Sequence, residues 1–420
     1  MLESYIPGER VTKLGVKCSR WLGVLGLFFS VTGCLSPIAL HRAVVEYDRA
    51  VARIRAEMLL LNIARAKHIE PLHFTAVSSV TATFGFEASG GFAPTRTDTG
   101  PLVAPFLTGT VSESPTITIV PIEGEEFTKR LLSPMDAKKV AFLFQQGVEP
   151  AILLRLISEQ LVIKNDKGVT VVRNNPVEVA QYVEFRRRVL HISSLKFWEG
   201  LYVGPIFYEE VLPISFPANS ASPEILSSLD NVLGALEKGY RWKQIEDKGP
   251  LFLTKQVVGR LAITNYDLPG LPNKERRRLN IEAESLPENS LLVDIRQGGP
   301  GGDYPMHGYF LFRSFSDVLR FVASGISAVP EFDVEQDKRT AQVVSNPAQT
   351  LAIKVTPAQP KKAPFRVKHR GFWYSVGQPE KESDKVLQWN QEAFRTLSEL
   401  YQMTVTDISR MPAPAITIAK

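Results

Sequence analysis

The chain contains six histidines: His41, His68, His73, His191, His307 and His369. Histidine is the usual side chain for proton transfer near neutral pH and for zinc, so their spacing is the first test for chemistry. None stands in an HExxH pattern, and neither GxSxG nor GxxxxGK[ST] occurs. His68 and His73 flank Pro71 with Glu70 between them, donors that a metal would accept; a turn facing solvent is the expected role. Glu125–Glu126 and Glu209–Glu210 are acid–base groups in type, but adjacent carboxylates on a helix or strand usually face water. The loop RQGGPGGDYPMHG is the best candidate for a ligand. Arg296 with Gly298, Gly299, Gly301 and Gly302 would present backbone N–H groups to an anion. A phosphate loop should open a helix, and this one precedes a strand pattern, so a connecting loop is the expectation and a ligand loop the alternative. The segment HRGFWYSVGQ groups Phe372, Trp373 and Tyr374, readable as a sugar platform but better as a strand packed on the following helix through Trp373. The basic runs FRRRV (185–189) and KERRR (274–278) lack interleaved aromatics and are expected to form solvated faces, the second with the option of touching anionic headgroups. No cofactor motif is evident.

One residue stands apart. From Trp21 to Gly33 run about thirteen uncharged residues, too few for a spanning helix of roughly 20 and suited to the apolar region of a signal peptide. Arg10, Lys13, Lys17 and Arg20 supply the positive flank, despite Glu3 and Glu9. The run ends in Val31-Thr32-Gly33-Cys34, which resembles the lipobox of bacterial lipoproteins. That resemblance implies cleavage between Gly33 and Cys34, a diacylglyceryl thioether on the Cys34 sulfur, and acylation (palmitate or similar) of its new amino group. A thiolate is the nucleophile such a modification needs. Leu35 follows, not the Asp that favours inner-membrane retention in enterobacterial lipoproteins, so the periplasmic face of the outer membrane is the expected location. The only other cysteine, Cys18, lies in the removed segment, which leaves no disulfide and no thiolate metal site.

The segments LLLNIARAKHIEPLHFTAVSSVTATF, SPTITIVPIEGEEFTKRLLSP and RVKHRGFWYSV with SDKVLQWNQEAFRTLSELYQ are similar to those of a group of proteobacterial envelope lipoproteins without an assigned activity. The resemblance implies location and supplies no catalytic residue.

The elements that would position these residues read as an α+β protein: a long N-terminal amphipathic helix, an extended β-hairpin, a small helical/αβ region and a C-terminal mixed α+β domain. The expected divisions are 1–33 (signal peptide), 34–71 (anchor and helix), 72–122 (hairpin), 123–195 (small domain) and 196–420 (C-terminal domain). Between Pro37 and Ala66, Leu40, Val44, Tyr47, Val51, Ile54, Met58 and Leu61 alternate steps of four and three, a coiled-coil-like seam that packs on its own domain or on a partner. From Phe74 to Val120 the period is two. Phe74, Val80, Phe84, Phe86 and Phe92 share one face of the first arm; Val111, Ile117 and Ile119 share one face of the second, opposite Ser and Thr. Glu87 and Glu113 are the only charges in the arms. Apolar on one side and small-polar on the other is how a barrel strand alternates, and several copies would close a barrel. Against this, Pro94, Pro105 and Pro115 fit only edges or bends; a bent hairpin in a soluble β-domain is the plainer reading.

Further on, Asp136–Gln146, Pro150–Ile163 and Pro176–Leu190 are expected helices, the last capped by Asn175, with GVTVV a strand. Strands are expected at GLYVGPIFYEEVLPISF, LFLTKQVVGRLAIT, NSLLVDIR, YFLFRS, QTLAIKVT, FRVKHRGFWYSV and AITIA. Helices are expected at Ser222–Tyr240, SFSDVLRFVASGI and SDKVLQWNQEAFRTLSELYQM. Linkers are expected near Asn265–Pro287 and Thr356–Pro364.

Net charge is +5, of which the four basic and two acidic residues before Cys34 carry +2, leaving no nucleic-acid footprint. The expected function is a lipid-anchored, non-enzymatic envelope protein with a structural, assembly or export role, held to the membrane through Cys34 and able to form homo-oligomers. The alternative is a periplasmic binding module for a glycan or anionic ligand.

Overall fold

The computed structural model describes residues 41, 44–97, 100–165, 168–197, 199–216, 229–244, 250–327, 329–377 and 384–405. Cys34, Gly33 and the expected strand AITIA lie outside them. The described chain is a mixed α+β protein that divides into two compact units: residues up to Glu57 with Thr75–Val120, and Met58–Phe74 with everything from Pro121 onward.

The first unit contains the start of helix α1 (residues 44–67) and a hairpin of β1 (Phe74–Thr97) and β2 (Gly100–Ile122), 24 and 23 residues long. Among the described residues the two strands pair only with each other. In β2, Thr108, Thr110, Ser112, Ser114 and Thr116 are all exposed, and so are Ile117, Ile119 and Val120. Gly91 leaves room for a ring of the other strand: a Cβ there would lie 2.9 Å from Phe106.

The second unit is built on a seven-stranded sheet in the order β4-β3-β9-β8-β7-β5, with β6 pairing β7. Its strands are β3 (Ser158–Asn165), β4 (Gly168–Arg173), β5 (Tyr202–Phe216), β6 (Arg241–Gln244), β7 (Leu251–Thr264), β8 (Ser290–Ile295) and β9 (Met306–Phe312). All neighbours are antiparallel except β7 and β8, which the helix α7 (Asn273–Glu284) connects as a parallel crossover. β8 is buried at every position, as a central strand covered on both faces must be. A smaller sheet, β10-β12-β11, uses Ile353–Thr356, Arg366–His369 and Phe372–Val376. The other helices are α2 (Glu125–Leu132), α3 (Ala137–Gln145), α4 (Pro150–Ile157), α5 (Val179–Phe197), α6 (Leu229–Glu237), α8 (Phe315–Ser327) and α9 (Asp384–Val405). Local signals set several starts. Asp136 accepts from Lys138 N at 2.9 Å ahead of α3, and Ser314 both accepts from Asp317 N and donates to its carboxylate ahead of α8.

Five expectations are corrected. The sheet takes β3 and β4 from before residue 195 and the rest from after it, so no domain boundary falls there. The helix from Pro150 ends at Ile157, because Leu161, Val162 and Ile163 bury themselves as strand β3 beside β9. The expected linker Asn265–Pro287 holds α7, whose Leu279 and Ala283 pack on Ile206, Ala262 and Leu292. FRVKHRGFWYSV is a hairpin, not one strand: Arg370 (φ 46°) and Gly371 (φ 85°) form a two-residue turn of the type that suits a hairpin's twist. Finally, the buried stripe of α1 within the second unit is Leu59, Leu60, Ile63 and Ala64, displaced from the heptad positions Met58 and Leu61, which are only half-buried.

Candidate functional site

The hairpin residues divide. Phe74, expected on the lipid-facing side, is instead fully buried in the second unit, where its ring stacks on Tyr401 at 4.9 Å and meets Phe127 edge-on at 5.8 Å. Ile117 and Ile119 are 41% and 56% exposed. Val80, Phe84, Phe86, Phe92 and Val111 lie in the described strands, but their side chains are outside the description.

The glycine loop is packed rather than open. Asn265, at the end of β7, holds it from inside: its amide donates to the carbonyls of Arg296 (2.8 Å) and Pro300 (2.9 Å) and accepts from Arg296 N (2.9 Å). The Gly301 carbonyl accepts from His191 Nε2 at 2.9 Å, and burial lowers the His191 pKa, keeping that ring neutral. A Cβ at Gly299 would lie 2.8 Å from the Asn265 amide, and one at Gly301 2.4 Å from Leu195. Gly302 approaches the Arg296 carbonyl closely and Gly298 takes a positive φ. Gly299, Gly301 and Gly302 therefore serve close approach within the fold, and Gly298 serves a positive φ. Arg296 is committed as well: it donates to Asp294 (2.7 Å) and Glu275 (3.1 Å) and stacks over Tyr266 at 4.5 Å. An anion here would have to compete with Asp294 and Glu275 for the Arg296 guanidinium.

The loop adjoins a polar cluster at the carboxyl ends of the parallel pair β7–β8, where open α/β sheets place ligand sites. Asp294 and His307 are cross-strand neighbours on β8 and β9. His307 sits between two carboxylates, with Nδ1 3.1 Å from Asp294 and Nε2 3.0 Å from Glu282 on α7. Tyr266 donates a short hydrogen bond to Asp294, and Lys164 on β3 donates to Glu282 at 2.8 Å. A cleft of about 400 Å3 opens on this cluster, lined by Arg278, Leu279, Glu282, Asp294, Arg296 and His307. The hydrogen bond to Asp294 raises the His307 pKa, with the Glu282 charge adding to it. Burial pushes Asp294 up, but the bonds from His307 and Tyr266 and the charge of Arg296 hold it below its usual value. Burial and the bond to Asp294 push the Tyr266 hydroxyl far up. Both ring nitrogens of His307 are thus engaged with carboxylates of the fold. The cluster ties α7, β3, β8 and β9 together. Among the described residues no group of His, Cys, Asp and Glu could hold a metal ion.

The other sequence candidates are engaged too. His68 Nε2 lies 3.0 Å from the Tyr374 hydroxyl, and burial lowers the His68 pKa. Glu70 accepts from Arg370 at 2.6 Å with His369 at 3.1 Å, and Ile69 is held at φ 59°. His68 and Glu70 thus fasten the end of α1 to the small sheet, while Ile69, Pro71 and His73 remain exposed, as expected of a turn facing solvent. Tyr374, not Trp373, is the buried ring of β12, packed on Leu60 and Ala64 of α1, and this removes it from any sugar platform. In FRRRV the expected wet face is also corrected. Arg186 is fully buried, while Arg188 stacks over Tyr304 at 3.7 Å.

Sequence reading missed one spacing, Ser193-x-x-Lys196 on α5. Ser193 is buried and donates to Glu149, while Lys196 donates to the carbonyls of Gly147 (2.6 Å) and Val148 (2.9 Å) after α3. The lysine is not on the serine, and the pair staples two helices. Reading missed as well the charged group around Glu331, whose members lie far apart in the chain. Arg155 and Arg186, both fully buried, converge with Glu331, Tyr182 and Thr350.

No protein-family model matches the chain, and no curated protein or solved structure is significantly similar to it.

Proposed function

We propose that the chain is a lipid-anchored, non-enzymatic protein of the bacterial cell envelope with a structural, assembly or export role. It is held at the periplasmic face of the outer membrane through Cys34 and assembles with copies of itself through α1 and the hairpin. The lipobox-like end of the apolar run supports the tether. The observation that carries the assembly role is the make-up of the first unit. Among its residues with described burial only Ala56 is buried, while Val44 is 56% exposed and Ile54, Phe106, Ile117 and Ile119 are exposed as well. An isolated two-stranded ribbon is marginal in water and presents two unpaired edges. Copies lying side by side would pair those edges, and the charge-poor faces suit that arrangement. Each arm is roughly 75 Å long at about 3.3 Å per residue, whereas a strand crosses a bilayer in about 9–11 residues. Half an arm is enough to cross, and the rest would stand clear of the membrane. Among the described residues no helix is long and apolar enough to span a membrane. The binding-module alternative drew on the Gly298–Asp303 loop and the Phe372–Tyr374 cluster; the loop is held by Asn265 and Tyr374 packs on α1, while Phe372 stays exposed.

Fractionation of the wild type against Cys34→Ser, with particle size measured on the extracted wild type, tests this. The expected result is a membrane-bound multimer for the wild type and release of the variant, or its retention only if the hairpin is inserted. A soluble monomeric wild type would end the proposal.

A further inference from the structure

The basic run KERRR is divided by α7 in a way its sequence does not announce. Glu275 turns to Arg296, and Arg276 turns inward to donate to the Phe207 carbonyl at 2.9 Å. Lys274, Arg277 and Arg278 remain exposed, with no hydrogen bond or ion pair among the described residues. One turn further along the same side stands Ile281, 58% exposed. At 3.6 residues per turn these four side chains fall within an arc of roughly 100°. The acids of the helix are occupied: Glu282 by Lys164 and His307, and Glu284, at the margin of the arc, by the Asn280 amide at 2.9 Å.

We propose that this outward face of α7 is a contact surface for an anionic phospholipid bilayer. The proposal rests on the membrane placement above and adds a second, electrostatic point of attachment in the larger unit. Three unpaired cations around a central exposed isoleucine form the pattern of a helix lying in a headgroup layer. The charges meet phosphates while the isoleucine and the aliphatic stems of Lys and Arg enter the boundary beneath. A free anion would use the charges and leave Ile281 without a role. The cluster around His307 fixes the helix beneath the face, so the three cations are presented on a rigid support.

The test is partitioning of the full chain carrying Cys34→Ser, which has no acyl chain, onto phosphatidylcholine vesicles with and without phosphatidylglycerol. Residues 1–33 are common to all samples and cancel in the comparison. Replacing Lys274, Arg277 and Arg278 together by Ala is expected to lower the phosphatidylglycerol-dependent partitioning about a hundredfold, with Arg277→Glu alone lowering it by about tenfold or more. Ile281→Asn is expected to weaken it further, and rising salt to abolish it. Thermal melting of the same samples should be unchanged, because the side chains are exposed. Undiminished partitioning of the triple variant would overturn the proposal, as would full displacement by millimolar inorganic phosphate, which would mark a site for the free anion. Because no acyl chain is present, these outcomes are separate from the fate of Cys34, which the mass of the mature chain reports.

Discussion

The group around Glu331 gives the sharpest stability prediction. Residues 329–352 form neither helix nor strand, yet they close over α4 and α5. What holds them is two fully buried guanidiniums. Arg155 donates to the carbonyls of Pro347 (3.0 Å) and Ala348 (2.8 Å), and Arg186 to Ala348 (3.0 Å) and to the Asn346 side chain (2.9 Å). Glu331 is their buried counter-charge: it lies 3.2 Å from Arg155, and accepts from Tyr182 (2.8 Å) and from both the hydroxyl (2.6 Å) and the N–H (2.5 Å) of Thr350. Glu331→Gln keeps the volume and removes the charge, leaving two buried cations without their counter-charge. Breaking a buried ion pair from one side costs about 3–5 kcal/mol, a large part of a typical stability. The assay is urea unfolding at neutral pH, with limited proteolysis of 329–352 as the local readout. Adding Arg186→Met should return at least about 1 kcal/mol, since it removes a charge that no longer has a counter-ion. Burial pushes the Glu331 pKa up, but the two arginines and Thr350 hold it below the usual value. A depressed folded-state pKa contributes stability above the ordinary carboxylate range, lost as pH falls through the folded value. The wild type should therefore show an acid loss that Glu331→Gln lacks. A cost below about 1 kcal/mol, or no release of the segment, would refute the reasoning.

Phe74→Ala should destabilise the second unit by about 3–5 kcal/mol, the cost of emptying a ring site closed by Tyr401 and Phe127; a hairpin residue outside the core would cost little. Gly301→Ala should cost about 2 kcal/mol in thermal unfolding, through its φ of +68° and the approach to Leu195. The raised His307 pKa implies that its contribution is full below the free imidazole value and fades as pH rises through the folded value. The stability difference between wild type and His307→Gln should thus be largest in mild acid and shrink in base, and an NMR titration of His307 should end above 6.5.

The pattern residues were legible where local chemistry decides structure. The alternating run Leu251–Thr264 is β7 end to end, and Ser314 with Asp317 wrote the start of α8 in the sequence itself. What sequence could not show is pairing across distance. Nothing in VIKN says that it joins a strand 150 residues later, so β3 read as more helix. The charged run KERRR and its prolines looked like a linker because α7 shows only a narrow apolar stripe, Leu279 and Ala283. The turn at Arg370–Gly371 had a signal, glycine flanked by two strand-forming stretches, and its companion was hidden by the rarity of arginine at positive φ. At the candidate site Arg296 and its glycines were found, while their partners Asn265, His191, Asp294 and Glu275 come from four separate parts of the chain. Arg186 read as surface because three consecutive arginines suggest water, and only the fold reveals the buried carboxylate waiting for one of them.

The central claim is that copies complete one another through the first unit, where Ala56 alone is buried among the residues with described burial. The mass of the detergent-extracted full-length particle, compared with a variant lacking residues 78–118, tests it most directly. The account predicts a discrete multimer for the intact chain and a folded monomer for the shortened one. An intact chain that remains monomeric while its hairpin is ordered would contradict it.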